Sequence, residues 1–246
     1  ANVWQYSWNG SDAQLWRFVD AGDGKYYIQS KLGTVLDVTS ASAAAGTNVQ
    51  TYTFNQSTAQ KWTLLETEKT LYSIMGKTNV FVSQMVKFYK NKATVSYPYS
   101  NVSEAPTIEK FCQIYKEESE VEGVKAEVAF AQAMMETGFL KFGGDVKKDQ
   151  YNFAGIGAIG GGSSGAKFDS IRIGIRAHVQ HLKAYASKEA LKQPVVDPRF
   201  QYVKRGSAEY VQWLGQKENP NGYGWATAKN YGNNIVKLYI LPMKKY

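Results

Sequence analysis

The chain has 246 residues, enough for two domains, and its 43% hydrophobic and 20% charged content is that of a globular protein rather than a disordered one. Cys112 is the sole cysteine, so no internal disulfide can form, and no run of about eighteen apolar residues is present to span a membrane. The formal charge of +8 is uneven: residues 1–66 are net −1, whereas the remainder is net +9. A basic second part suits polyanionic surroundings such as an anionic cell-wall polymer. Its lysines and arginines are scattered and no nucleic-acid-binding motif occurs, so nucleic acid is not an expected partner.

The first 66 residues contain a repeat. Asn2–Val19 (NVWQYSWNGSDAQLWRFV) and Asn48–Leu65 (NVQTYTFNQSTAQKWTLL) share Asn, Val, Tyr, Asn, Ser, Ala, Gln and Trp at matching positions. Between them, KYYIQSKLGTVLDV (Lys25–Val38) reads as two short strands around a Leu32-Gly33-Thr34 turn. Short strands recurring with a Gln-x-Trp imply hairpin units around a shared core, with Trp16 and Trp62 inside it. The signatures Gln14-Leu15-Trp16 and Gln60-Lys61-Trp62, with Leu36-Asp37-Val38 opening the complete copy, resemble the ricin-type lectin repeat of β-trefoils. The resemblance implies sugar-binding residues at Asp37, Gln50, Tyr52 and Asn55. About one and a half repeats are present, so at most one such site is complete. The chain begins within a repeat and is expected to be part of a longer precursor, which deprives a missing export signal of meaning.

Thr67–Lys69 reads as a linker, and from Thr70 the pattern becomes helical. Helices are expected over Phe81–Asn91, Thr107–Gly123 (with Pro106 suited to a helix start), Val124–Thr137 and Ser170–Ser187, and further helical segments over Glu209–Leu214 and Ala226–Leu238. The third is the most informative. Val124, Val128, Ala131 and Met135 recur at helical spacing, the alanines favour helix, and Gly138 suits the left-handed residue that ends it. That places Glu136 in the last turn, with Gln132 one turn earlier on the same face. A helix C-terminus repels an anion and apolar neighbours withhold water, so the protonated acid is favoured there. A carboxyl group kept protonated near neutral pH can protonate a leaving sugar oxygen.

Met135-Glu136-Thr137-Gly138 is followed by Tyr151-Asn152-Phe153-Ala154-Gly155-Ile156, a helix, Asn219-Pro220, and Trp225-Ala226-Thr227-Ala228-Lys229-Asn230-Tyr231. In this order the segments resemble the bacterial N-acetylglucosaminidases of glycoside hydrolase family 73, peptidoglycan hydrolases of the autolysin type, over roughly residues 70–246. The resemblance implies an α+β protein: a mainly α, lysozyme-like catalytic domain (residues 67–246) behind a small all-β fragment of trefoil repeats (residues 1–66). It implies Glu136 as general acid, Tyr231 as a functional tyrosine, and Gln132, Asn152, Phe153, Tyr223 and Trp225 as substrate contacts. It further implies peptidoglycan glycan strands as substrate, no metal or organic cofactor, and a secreted or wall-associated bacterial location.

Many relatives carry a second glutamate after the Asn-Phe-x-Gly motif, whereas GIGAIGGGSSGAKFDS (Gly155–Ser170) has none. Asp169 is the nearest carboxylate, and Asp145, Asp149 and Asp197 are alternatives. Asp169 could activate water for inversion, at a carboxyl separation of about 6.5–9.5 Å, or act as nucleophile at about 5–5.5 Å. Alternatively the 2-acetamido oxygen of the substrate attacks, which needs no second carboxylate and is preferred. A muramidase or lytic transglycosylase on the same fold, or a carbohydrate-binding protein without turnover, also fits the sequence. Gly155-x-Gly157-x-x-Gly160 lacks the strand and helix of a dinucleotide site. His178 and His181 read as one packed and one exposed histidine rather than a metal pair, and Arg172 and Arg176 as ion-pair partners.

Overall fold

A computed structural model describes residues 1–64, 71–158 and 165–246. The chain divides into two compact units, Ala1–Thr70 and Leu71–Tyr246. The expected linker Thr67–Lys69 and the expected break after residue 66 lie outside the described residues, as do residues 159–164 of the glycine-rich loop.

The first unit is a five-stranded antiparallel sheet: β1 (Trp16–Asp20), β2 (Lys25–Ser30), β3 (Val35–Val38) and β4 (Val49–Tyr52) in that order, with β5 (Trp62–Thr63) also on β2. Trp16 pairs with Ser30 and Asp20 with Tyr26, and Val35 opposite Tyr52 sets the register of β3 on β4. The repeat seen in the sequence recurs in its hydrogen bonds. Gln14 Oε1 accepts from Asn9 N–H and Gln14 Nε2 donates to Ser7 O, as Gln60 does with Asn55 and Thr53. The core here is small. Tyr27 and Val35 are buried, but Trp16 and Trp62, expected inside, are only half-buried. Trp62 spends its indole N–H on Leu36 O at 3.1 Å.

In the second unit, α1 (Val82–Lys92), α2 (Ile108–Glu122), α3 (Ala126–Thr137) and α4 (Ile171–Ala186) are followed by α5 (Tyr231–Asn234), a π-helical turn (Ile235–Ile240) and α6 (Leu241–Met243). The α+β class is as expected, and the four long helices lie where periodicity places them. Thr107 caps α2 by accepting from Lys110 N–H, and Ser170 caps α4 by accepting from Ile173 N–H. Helix α3 is the centre of the core: Val128, Ala129, Phe130, Ala131, Ala133 and Met134 have no exposed surface. Its alanines let α2, α4 and the C-terminal segment approach closely, and it is apolar around most of its circumference.

Two expected helices differ. Over Glu209–Leu214 only Val211–Leu214 is helical, as a 3-10 turn, because Tyr210 bridges to Ser73 instead. Ala226–Asn230 is not helical. Ala226 bridges to Gly215, Asn230 donates its N–H to Glu218, and Asn230 is left-handed (φ 61°), so the helix starts at Tyr231. Gly232 then lies against the Val211 carbonyl, where a Cβ would collide.

Buried charges tie the helices together. Lys183 on α4 pairs with Glu122 on α2 at 2.9 Å, both side chains wholly buried. Glu118 receives Arg172 at 2.7 Å and Arg176 at 2.9 Å, which makes the two arginines ion-pair partners as expected.

Candidate active site

Glu136 occupies the last turn of α3. Gly138 (φ 57°) ends the helix as expected, with Phe139 N–H returning to Met134 O at 2.8 Å and Gly138 N–H to Met135 O at 3.4 Å. The turn beyond stays unusual: Phe139, Leu140 and Phe142 all have positive φ, which costs non-glycine residues energy. It is held by Thr137, whose hydroxyl donates to Ala133 O at 2.7 Å and accepts from Leu140 N–H at 3.0 Å. Glu136 therefore projects from a helix end fixed on both sides.

The Glu136 side chain reaches solvent, yet protein crowds its carboxyl group. That desolvation raises its pKa above the ordinary carboxylate value, and a hydrogen bond from the Tyr231 hydroxyl to Oε1 offsets part of the rise. Tyr239, from the π-helical turn, also faces Glu136; its own pKa is raised by burial first and by the Glu136 charge second. The phenol of Tyr231 is buried and its pKa well raised, so it remains a donor at neutral pH.

Behind Tyr231 lies Gln132. Its Nε2 donates to the Tyr231 oxygen at 2.8 Å, and its Oε1 meets His178 Nε2 at 2.9 Å. Gln132 shares the face of Glu136 as expected, but it is wholly buried with its amide engaged on both sides, so it cannot be a substrate contact. Asn152 is corrected likewise. Its Nδ2 donates to Ile156 O at 2.9 Å and Ala166 O at 3.0 Å, while Oδ1 accepts from Ile156 N–H at 2.9 Å. It joins the two arms of the glycine-rich loop. Phe153, expected as a substrate contact, is core: it has no exposed surface and packs on Phe111 with ring centroids 5.1 Å apart.

Asp169 is exposed and makes no hydrogen bond or ion pair with Glu136 or Tyr231. Among the alternatives, Asp149 pairs with Lys167 at the surface, and Asp197 is buried with His181 Nδ1 2.6 Å away. Trp225 packs edge-on against His181 and lines a cavity of 230 Å³ with His181, Tyr185 and Arg199. Tyr223 is exposed beneath the Lys204 ammonium, 3.7 Å from the ring centroid. Glu136 is not part of that cavity wall.

The profile of the glucosaminidase family, described as mannosyl-glycoprotein endo-β-N-acetylglucosaminidase, matches residues 112–240, slightly over half of the chain, and spans Glu136, Asn152 and Tyr231. The chain belongs to the glucosaminidase family. A second profile, ricin-type β-trefoil lectin domain-like, matches residues 1–52 and 29–87. An uncharacterized protein of Borreliella burgdorferi is 46% identical over 132 residues, which are 54% of this chain and 61% of that protein. Among solved structures, autolysin E of S. aureus in complex with the muropeptide NAM-L-Ala-D-iGlu aligns at a TM-score of 0.45 and 20% identity, covering 71% of this chain and 72% of that one.

In this glucosaminidase-family chain, the sequence singled out Glu136, Gln132 and Tyr231, and the fold brings those three together. It missed His178 and Tyr115, whose hydroxyl lies 3.2 Å from His178 Nδ1. The available signal was a histidine on the apolar face of α4. In the lectin-like unit, Asp37 is buried and both its oxygens are taken, by Gln50 Nε2 at 3.2 Å and Gln60 Nε2 at 3.1 Å. Asn55 Oδ1 holds its own turn by accepting from Ser57 N–H, and Tyr52 is exposed.

Proposed function

We propose that this chain hydrolyses peptidoglycan at the β-1,4 bond after N-acetylglucosamine, with Glu136 as general acid. The observation that carries the reading is Glu136 itself: a carboxyl held toward its protonated form by desolvation at a helix C-terminus, bonded to Tyr231, within a glucosaminidase-family segment. A protonated Glu136 delivers its proton to the departing glycosidic oxygen and is left as a carboxylate that the Tyr231 hydroxyl stabilises. The exposed edge of the Glu136 side chain suits a polymer that lies across it. The basic charge of the second part suits anionic wall polymers, and the family 73 motif order favours a secreted or wall-associated bacterial setting.

Asp169 is exposed and has no partner among the described residues, which favours attack by the substrate's own 2-acetamido oxygen over a second protein carboxylate. Asp169→Asn is then expected to lower kcat less than about tenfold, well short of the loss from removing a catalytic carboxyl. A loss comparable to that of the Glu136 variant would assign Asp169 a direct role. Tyr231→Phe removes the hydrogen bond to Oε1. It should lower kcat about tenfold or more and move the basic limb of the pH profile upward, because Glu136 loses a donor that favours its anion. In the lectin-like unit we assign sugar contact to the ring of Tyr52 beside the Asp37–Gln50 pair, with Asn55 at the rim. The reading as a whole is tested by release of soluble muropeptides from purified peptidoglycan by the full chain. No release would leave a carbohydrate-binding protein.

A further inference from the structure

The polar chain behind Glu136 extends further than the catalytic proposal requires. Five side chains from four helices lie in sequence: Tyr115 on α2, His178 on α4, Gln132 on α3, then Tyr231 at the start of α5 and Glu136 on α3. Tyr115, Gln132 and His178 are wholly buried. In such a chain each donor fixes the next, because a neutral imidazole has one N–H and an amide presents one oxygen and one NH₂. Burial drives the His178 pKa down to about 3, with His181 adding to the effect, so the ring is neutral across the physiological range.

An arrangement in which Tyr231 accepts from both Gln132 N–H and Glu136 O–H leaves the buried Tyr231 O–H without an acceptor among the described residues; two polarities run unbroken through the chain. In the outward one, Tyr115 O–H donates to His178 Nδ1, Nε2–H to Gln132 Oε1, Gln132 N–H to the Tyr231 oxygen, and Tyr231 O–H to Glu136 Oε1. The inward one reverses each link. It would turn the Glu136 proton onto Tyr231 and leave the Tyr115 O–H without an acceptor among the described residues, a buried donor unpaired. The outward polarity leaves Tyr115 short only of an accepted bond, the lesser deficit.

We propose that Tyr115 and His178 are positioning residues that lock the Gln132 amide, so that Tyr231 always donates to Glu136 Oε1 and the acidic proton resides on Oε2, the oxygen free to meet the leaving group. The proposal rests on the reading of Glu136 as the acid. The titratable groups facing Glu136 are the phenols of Tyr231 and Tyr239. Those facing His178 are Tyr115 on α2 and His181 on its own helix, with Gln132 and the Trp225 ring completing its surroundings.

Three measurements on the full chain test this. Long-range ¹H–¹⁵N correlation of histidine-labelled protein reports the tautomer directly. A proton on Nε2 and a bare Nδ1 are expected, and a proton on Nδ1 overturns the proposal. The second compares His178→Phe with His178→Gln. With phenylalanine the Gln132 amide is free to turn its oxygen toward Tyr231, so Glu136 loses its donor. The basic limb of kcat/KM should move up by about half to one pH unit, and kcat should fall several-fold to about tenfold with KM nearly unchanged. Glutamine can again donate to Gln132 Oε1 and should restore most of both. A purely structural role would lower activity in both variants without moving the limb, and that result overturns the proposal. Tyr115→Phe, which deletes one oxygen, is read in the same way if His178→Phe does not fold. The midpoint of the Glu136 carboxyl by ¹³C titration should rise in His178→Phe with or without turnover. Inactivity of the wild type would therefore refute the glucosaminidase reading while the tautomer and this midpoint still decide the positioning role.

Discussion

Glu136→Gln is expected to lower peptidoglycan hydrolysis by about 10²–10⁴-fold, the usual worth of a general acid. Glutamine keeps the shape and can still accept the Tyr231 hydroxyl, so the loss isolates the proton. The same substitution should make the folded protein more stable near pH 7. Desolvation raises the Glu136 pKa in the folded state above an unfolded value of about 4.3. The ionised form therefore subtracts stability, fully so above the folded pKa and not at all below the unfolded one. The gain in Tm from Glu136→Gln should be present at pH 7 and vanish as the pH falls below about 4. A variant that loses activity and stability together would instead mark Glu136 as a structural residue.

Lys183→Met is expected to destabilise the second unit by about 3–5 kcal/mol, read by urea or thermal unfolding at neutral pH. The substitution keeps the volume but leaves Glu122 charged and wholly buried without its cation. Replacing Glu122 by leucine as well should recover only part of this. Glu122 also accepts N–H bonds from Lys192 at 2.9 Å and Gln193 at 3.0 Å, and the double variant orphans both. Full recovery in the double variant would mean that those loop amides find water. The pair shares no hydrogen bond with Glu136, Tyr231, Gln132 or His178 among the described residues, so activity per folded molecule should change little.

Much of the helical unit was legible because its signals are local. Alanine-rich spacing and Gly138 identify α3 and its end, and the four-residue spacing puts Gln132 on the face of Glu136. What the sequence does not carry is which face is sealed. Gln132, Asn152 and Phe153 look like cleft residues next to a catalytic motif, yet partners distant in the chain, His178 for Gln132 and Phe111 for Phe153, close over them. The Ala226–Asn230 stretch has helical composition but spends its backbone on Gly215 and Glu218, a tertiary override of propensity. In the lectin-like unit the tryptophan repeat is real, but Trp16 and Trp62 are only half-buried in this small sheet, so repeat detection alone overstates its core. The polar chain from Tyr115 to Glu136 joins residues up to 116 positions apart and has no local signature.

The proposed cut after N-acetylglucosamine, with Glu136 as the acid, is tested most directly on the polymer itself. Purified peptidoglycan would be digested with the full chain and with Glu136→Gln, and the borohydride-reduced products analysed by mass spectrometry. Reduced N-acetylglucosamine ends from the wild type alone are the predicted result. Reduced or anhydro N-acetylmuramic acid ends, or equal products from both proteins, would contradict it.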